Sequence, residues 1–370
     1  MRTGHVRSFV YDALPGRVVF GEGTFERAPE ELQRLRISRL LLIADRSGTA
    51  WADKLCGRLG PAVVARIDDV RPHVPYPDAL AAQKLAADQQ ADGLMTIGGG
   101  SATGLGKIVA LDRPLPILAV PTTYAGSEMT PIWGLTRDAR KETGRDSVVQ
   151  PRTVIYDPVL TLSLPASIAG PSGMNALAHC AEALYAEGAN PITSLMAEEG
   201  IRVIVGGLPL VVAHPDDLEA RADVLAGAYL AGASFAAAGS GLHHKICHIL
   251  GGAYDLPHAE MHTVVLPHVL ALLAPTYPQA MRRMARAMRQ ADVPSAVFEL
   301  AQTIGAPTAL QAIGMPGDRL DEAAVLISAA ILDTPMAVPA EAIRALLGEA
   351  YEGLRPRSTT GLQTPTHVTA

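Results

Sequence analysis

The stretch TIGGGSATGLGK (residues 96–107) decides how the chain is read. An apolar run enters three consecutive glycines and leaves through a serine into a helical pattern, so a buried strand ends here and a helix begins. Gly98, Gly99 and Gly100 allow the backbone to approach a phosphate closely, and the helix start offers free N–H groups with partial positive charge. Ser101 is placed to cap that helix and to donate to the phosphate. An ordinary tight turn is the competing reading. The glycines at 98, 100 and 104 miss the GxGxxG spacing, and the usual acidic residue about 20 positions later is absent. Asp45 stands upstream instead, at the end of an earlier apolar run. A carboxylate there can accept from a ribose 2′-hydroxyl and repel a 2′-phosphate, or simply cap the helical segment starting near Gly48.

Working outward, short apolar runs at 39–45, 62–70, 92–98, 115–122 and 152–157 alternate with helical patterns such as 77–90 and 101–111. That alternation predicts an α/β domain with a parallel sheet covered on both faces. Residues 9–23 read as a hairpin across Pro15-Gly16. A second turn, PTTYAGSE (121–128), follows the next strand and offers Thr122 and Thr123 at a strand end, where open α/β sheets bind ligands. After Asp157-Pro158 strand-like runs nearly vanish, and Ala-rich helical patterns occupy 172–186, 191–205, 218–237, 242–250, 279–290 and 321–331. The expected organisation is a dinucleotide-binding α/β domain (1–158), an all-helical domain (159–355) and a frayed polar tail (356–370).

Composition narrows the function. Hydrophobic residues make up 48% of the 370, enough for a large core, while aromatics are only 4%, so Ala, Val, Leu and Ile must fill it. A net charge of −6 without a Lys/Arg block argues against nucleic acid or an anionic membrane as partner. Three cysteines, none in a CxxC spacing, fit a reducing cytoplasm, and no run reaches the roughly 18 apolar residues of a membrane span.

Chemistry concentrates in the second half. Asn175 and His179 are four apart in a helical pattern and share a face; His244 and His248 repeat that spacing on a later helix that Gly251-Gly252 is expected to end. His258 follows Pro257 in the next loop. Such a set suits a metal or a metal-free acid/base site. His243, His262 and His268 in the same region read as packing residues or supports.

The runs GGGSATGLGK (98–107), PTTYAGSEMTPIWG (121–134), KETGRD (141–146), SGMNALAHCAEALYA (172–186) and HKICHILGGAYDLPHAEMHTVVLPH (244–268) resemble the iron-containing alcohol dehydrogenase superfamily, and within it the maleylacetate reductases. The resemblance implies a dehydroquinate-synthase-like nucleotide domain, a helical catalytic domain and a homodimer formed partly through the N-terminal hairpin. It implies a metal site at Asn175, His179, His244 and His258, but metal-dependent members carry Asp where this chain has Asn175, and Asp where it has Gly104. The expected activity is therefore metal-independent reduction of the carbon–carbon double bond of maleylacetate, a dicarboxylate, with NADH, NADPH remaining possible.

The expected site follows from these readings. His179, His244, His258, His248 and Asn175 surround the reacting end; Lys245, Arg145 and Tyr124 meet the substrate; Asp45, the Gly98–Ser101 turn, Thr122, Thr123, Thr130 and Lys141 meet the cofactor; no metal is expected. Lys141 and Arg145 are placed in the loop after the second turn, equally suited to a solvated charged role. The competing functions are a metal-dependent alcohol or polyol dehydrogenase in which Asn175 still ligates, a dehydroquinate-synthase-like lyase that recycles its NAD, and a non-catalytic nucleotide sensor.

Overall fold

The computed structural model describes residues 9, 11, 16–137, 140–332 and 337–356. In chain order its strands are β1 (Arg17–Phe20), β2 (Leu40–Ala44), β3 (Val63–Ile67), β4 (Gly93–Gly98), β5 (Ile117–Pro121), β6 (Ile132–Arg137), β7 (Arg140–Arg145) and β8 (Thr153–Tyr156). Six form one sheet in the order β1-β8-β5-β4-β2-β3 with every pairing parallel; β6 and β7 form a separate antiparallel hairpin. All five expected apolar runs are strands of the main sheet, trimmed by at most three residues at either end.

The sheet is covered on both faces, which is why β2 reads LLLIA without polar alternation. Leu40, Leu42 and Ala44 pack on one side with Ala52 and Leu55 of α2 (Thr49–Leu59), the side that also holds Ala28 and Leu32 of α1 (Ala28–Arg34). Leu41 and Ile43 pack on the other side with α3 (Tyr76–Asp88) and α4 (Gly100–Asp112). The chain leaves β2 outward to β3 through α2, and leaves β4 in the opposite direction to β5 through α4. The crevice between the carboxyl ends of β2 and β4 is thus a topological switch point, the place where such sheets bind ligands.

The remaining helices are α5 (Ala166–Ala183), α6 (Pro191–Ala213), α7 (Leu218–Ala238), α8 (Leu242–Tyr254), α9 (His258–Leu273), α10 (Pro278–Met288), α11 (Val293–Thr303), α12 (Leu320–Ile331) and α13 (Ala340–Glu352). Their starts are chemically marked. Asn190 and Thr193 form a reciprocal capping box at α6, with Pro191 at the first helical position, and the Asp217 carboxylate caps α7. Helix α5 is buried without interruption from Ala169 to Ala183, so its polar residues must find partners or line a cavity. Among the described residues no single helix is long and apolar enough to cross a membrane.

The structure corrects three expectations and bears on a fourth only in part. RVVF pairs in parallel with β8 at the edge of the main sheet, while the other expected limb of the hairpin, apart from Phe9 and Tyr11, lies outside the described residues. Helix α8 passes through Gly251-Gly252 and stops at Asp255, which adopts the left-handed conformation (φ 50°). His258 opens α9 rather than sitting in a loop. Lys141 and Arg145 belong to β7, a strand that the polar sequence RKETGR conceals. The expected tail beyond Pro356 lies outside the described residues.

Candidate active site

The glycine turn sits at the switch point and is braced by Asp45. One carboxylate oxygen accepts from the backbone N–H of Ser47 (2.9 Å) and Gly48 (3.2 Å); the other accepts from Gly99 N–H at 2.6 Å. Asp45 thereby ties the turn after β2 to the turn after β4. Gly98 has φ +151°, and a Cβ there would lie 2.4 Å from the Asp45 carboxylate, so only glycine permits this bridge. Thr122 joins the same group: its N–H donates to Gly98 O (3.1 Å) and its hydroxyl lies 2.7 Å from Ser47 Oγ. Ser101 does not cap α4; it is the second helical residue, and Gly99 occupies the cap position without a side-chain bond. The first intrahelical bond runs from Thr103 N–H to Gly99 O (3.2 Å). The N–H groups of Gly100, Ser101 and Ala102 therefore precede the helical ladder and suit an anion.

The turn after β5 joins this crevice to the histidines. A Cβ on Gly99 would touch Thr123 at 3.1 Å, and one on Gly100 would touch Ala125 at 3.6 Å. On the other side of the same turn, Ala125 O accepts from Asn175 Nδ2 (3.5 Å), and a Cβ on Gly126 would lie 3.3 Å from His179 Nδ1. Gly126 has φ +75°, so this close approach also requires glycine.

Beyond the turn the rings are stacked in sequence. His179 and His244 lie 4.9 Å apart, centroid to centroid, at 17°, with Phe235 4.6 Å from each. His244 touches His262 (4.6 Å) and His262 touches His258 (4.4 Å). Burial pushes His179 down to about 3, helped by the neighbouring His244, and pushes His243 down to about 3. Burial, with His248 and Lys141 close by disfavouring a further positive charge, holds His244 well below the ordinary histidine range; burial, then Lys141, does the same for His258. The cluster is therefore neutral at pH 7, and each ring offers one donor and one acceptor nitrogen.

A cavity of about 790 Å³ opens beside the cluster, lined by His248, His258, Lys141, Thr136, His73 and Arg319 among others. Asn175, His179 and His244 do not line it; they lie one ring deeper, 4%, 6% and 4% exposed. Lys141, expected on the cofactor, instead reaches this cavity from β7. It is open to the cleft yet surrounded by protein, which lowers its affinity for a proton.

Four expected contacts are redirected. Tyr124 is fully buried in the hydrophobic core, so its ring cannot meet a substrate; its N–H donates to Ser172 Oγ (3.0 Å). The Thr130 hydroxyl donates to Ser127 O (3.1 Å) and accepts from Lys107 Nζ (3.0 Å), so it shapes the turn rather than serving a cofactor. Arg145 donates to Ala236 O at 2.7 Å, fastening the hairpin to α7. Lys245 does not line the cavity.

Two functional residues escaped the sequence reading. Lys107 is fully buried and donates to Ser127 O (2.6 Å), Thr130 O (2.8 Å) and Ile132 O (2.8 Å), fixing the loop that follows the second turn. Burial pushes its ammonium down to about 7. Glu182, also fully buried, contacts His244 Nδ1 and accepts from His244 N–H (3.1 Å). The signal for Glu182 was present: it stands three residues after His179 and seven after Asn175 on one continuously buried helix.

The donor set can be tested against a divalent metal. Asn175 brings a neutral amide whose buried Oδ1 has no hydrogen-bond partner, and His179, His244 and His258 are neutral. Among the described residues, the nitrogens that come within 4.8 Å of one another belong to His243, His244 and His262, not to the expected trio. Two of these are already paired, His243 Nε2 with His262 Nδ1 at 2.9 Å. The nitrogens of the expected trio do not converge and two of those that do are bonded to each other, so the residues as placed do not fit a divalent cation.

A parallel sheet with a glycine turn at its switch point, followed by helices that carry neutral imidazoles, defines an α/β-plus-α oxidoreductase scaffold. Residues 15–158 match the family described as iron-containing alcohol dehydrogenase, and residues 170–351 match the C-terminal part of the Fe-containing alcohol dehydrogenase family. The chain belongs to the iron-containing alcohol dehydrogenase family. Maleylacetate reductase of Burkholderia cepacia is 47% identical over 95% of this chain and 100% of its own length. The enzyme of that name from Sphingobium indicum is 48% identical over 94% and 99%. The crystal structure of maleylacetate reductase from Rhizobium sp. strain MTP-10005 superposes with a TM-score of 0.90 at 43% identity, covering 95% of this chain and 100% of that one. A 1,3-propanediol oxidoreductase structure, 28% identical, shares the fold with a TM-score of 0.85 over 93% of this chain and 100% of that one.

Proposed function

We propose that the protein reduces the carbon–carbon double bond of maleylacetate to 3-oxoadipate in aromatic compound degradation, using NADH or NADPH and no metal. The observation that carries the reading is the turn at 122–126, which holds the glycine turn against one side and Asn175 and His179 against the other. A dinucleotide lying on Gly98–Ser101, with Thr122 and Thr123 beside it, would reach the imidazoles across this turn. The bound nicotinamide supplies the hydride.

The chain's own residues supply the rest. The alkene of maleylacetate is conjugated to a ketone, so hydride addition at the far alkene carbon places negative charge on the ketone oxygen as an enolate. That oxygen needs a hydrogen-bond donor, and the carbon between needs a proton. Neutral imidazoles do both, each presenting one N–H and one lone pair. His248 and His258 wall the cavity and meet the substrate, and His244, whose ring lies 5.9 Å from that of His248, stands behind them with His179 as the ring that relays the proton through His248. Lys141 receives a carboxylate of the dianion. Lewis-acid polarisation matters more for an isolated carbonyl or alcohol than for a conjugated enone, which agrees with an amide at Asn175.

Product analysis tests the reading. Incubation of maleylacetate with NADH should consume the two one-to-one and yield 3-oxoadipate. Reduction of the ketone to a hydroxy acid, or steady turnover on simple alcohols alone, would replace it with the metal-dependent alcohol dehydrogenase reading. Turnover without net NADH loss would point to a lyase.

A further inference from the structure

The carboxylate of Glu182 is an expensive feature for stability alone: it is 0% exposed, and a buried carboxylate pays several kcal/mol in lost hydration unless donors replace the water. Three donors do so. Oε1 accepts from the His244 backbone N–H (3.1 Å) and from the Tyr185 hydroxyl (3.1 Å), and Oε2 contacts His244 Nδ1. The backbone is shaped around this contact, since a Cβ on Gly241 would lie 3.0 Å from Oε1 and 2.5 Å from the Tyr185 ring.

We infer that Glu182 is a positioning residue that fixes the proton of His244 on Nδ1 and leaves Nε2 as the nitrogen available to the reaction. The inference rests on the proposed role of His244. Oε1 accepts from two donors and so carries no hydrogen. On this inference Oε2 accepts as well, so that Nδ1 carries the hydrogen of their contact. Among the described residues no Lys or Arg bonds to Glu182. The facing rings of His179, His243 and His248 are neutral. The orientation of His244 therefore depends on this carboxylate alone among the charged groups in contact with it.

An isosteric change makes the inference sharp. In Glu182→Gln the amide oxygen must take the place of Oε1, because both partners there are donors. The amide NH₂ then faces Nδ1 and donates to it, so the ring proton moves to Nε2 and the ring is turned into the wrong tautomer without a cavity.

The test is a long-range ¹H–¹⁵N spectrum of the full-length protein labelled at histidine, with the His244 signals assigned by their loss in His244→Ala. Wild-type His244 should show the proton on Nδ1, and Glu182→Gln should show it on Nε2. Turnover in Glu182→Gln should fall about 100-fold or more in kcat, with KM for maleylacetate changed less than about threefold, and Glu182→Asp should recover part of the loss. A wild-type spectrum with the proton on Nε2 overturns the inference whether or not any variant folds. A tautomer change without loss of turnover upholds the positioning and overturns the role of His244.

Discussion

The two halves of the site are built in opposite ways. The crevice between β2 and β4 is made by backbone: three glycines, the N–H groups at the start of α4, and one carboxylate that ties two turns together. The histidine cluster is made by side chains drawn from α5, α8 and α9, held by burial and by each other. The first arrangement suits a ligand that is bound and released unchanged in shape, whereas the second suits protons that must move. The difference predicts that binding and chemistry can be damaged separately.

The largest separation should come from His244→Ala. Turnover should drop about 10²- to 10⁴-fold, the usual contribution of a placed acid or base, while NADH affinity by fluorescence titration stays within about twofold. Comparable losses in both would mean that the halves are not independent. Gly98→Ala attacks the other half. A Cβ 2.4 Å from the Asp45 carboxylate, at φ +151°, should cost about 1–3 kcal/mol of strain or break the bond to Gly99, weakening NADH binding about 10- to 100-fold. Calorimetry on the purified variant reads this directly, and normal affinity would remove the turn from the cofactor site.

These two regions were not equally legible in the sequence. The strands and the glycine turn depend on neighbours within a few residues, so LLLIA, GLMTIG and GGGS announced them. Asp45 was found because it closes a strand beside that turn, although its contact with Gly99 was not foreseen. The hairpin β6–β7 was missed because RKETGR carries no apolar face and is held by its antiparallel register and by Arg145 on Ala236. Lys141 was consequently placed in a loop rather than on a strand that reaches the cavity. Asn175, His179 and His244 were named from spacing and resemblance, but spacing says nothing about which ring stacks on which. Tyr124 and Thr130 look available in PTTYAGSEMT and are committed to the core and to Lys107, contacts that only the tertiary fold creates.

Lys141 and Lys245 sharpen the comparison further. Loss of a charge-assisted bond of about 1.5–3 kcal/mol in Lys141→Met should raise KM for maleylacetate roughly 10- to 100-fold, whereas Lys245→Met, off the cavity wall, should change it by less than about twofold. Steady-state kinetics of the pair decides the assignment, and the reverse order would restore the reading from sequence.

The smallest effect concerns stability. His243 takes its proton near 6.5 when unfolded but only near 3 in the fold, because burial disfavours the imidazolium. Its contribution is complete above about pH 6.5 and is lost as pH falls toward 3, by about 1.4 kcal/mol per pH unit. Denaturant titrations at pH 7, 6 and 5 should therefore show a shallower pH dependence in His243→Gln than in wild type. Parallel curves would mean that the ring is not held neutral.

The central claim is that neutral imidazoles, without a metal, complete a reduction begun at the glycine turn. The direct measurement is kcat for maleylacetate with NADH after exhaustive chelation, with bound metal quantified on the same sample. The account predicts unchanged turnover with less than about one metal in ten sites filled, since the nitrogens of the expected trio do not converge and those of His243 and His262 are bonded to each other. Loss of turnover on chelation, restored in proportion to added iron or zinc, would contradict it.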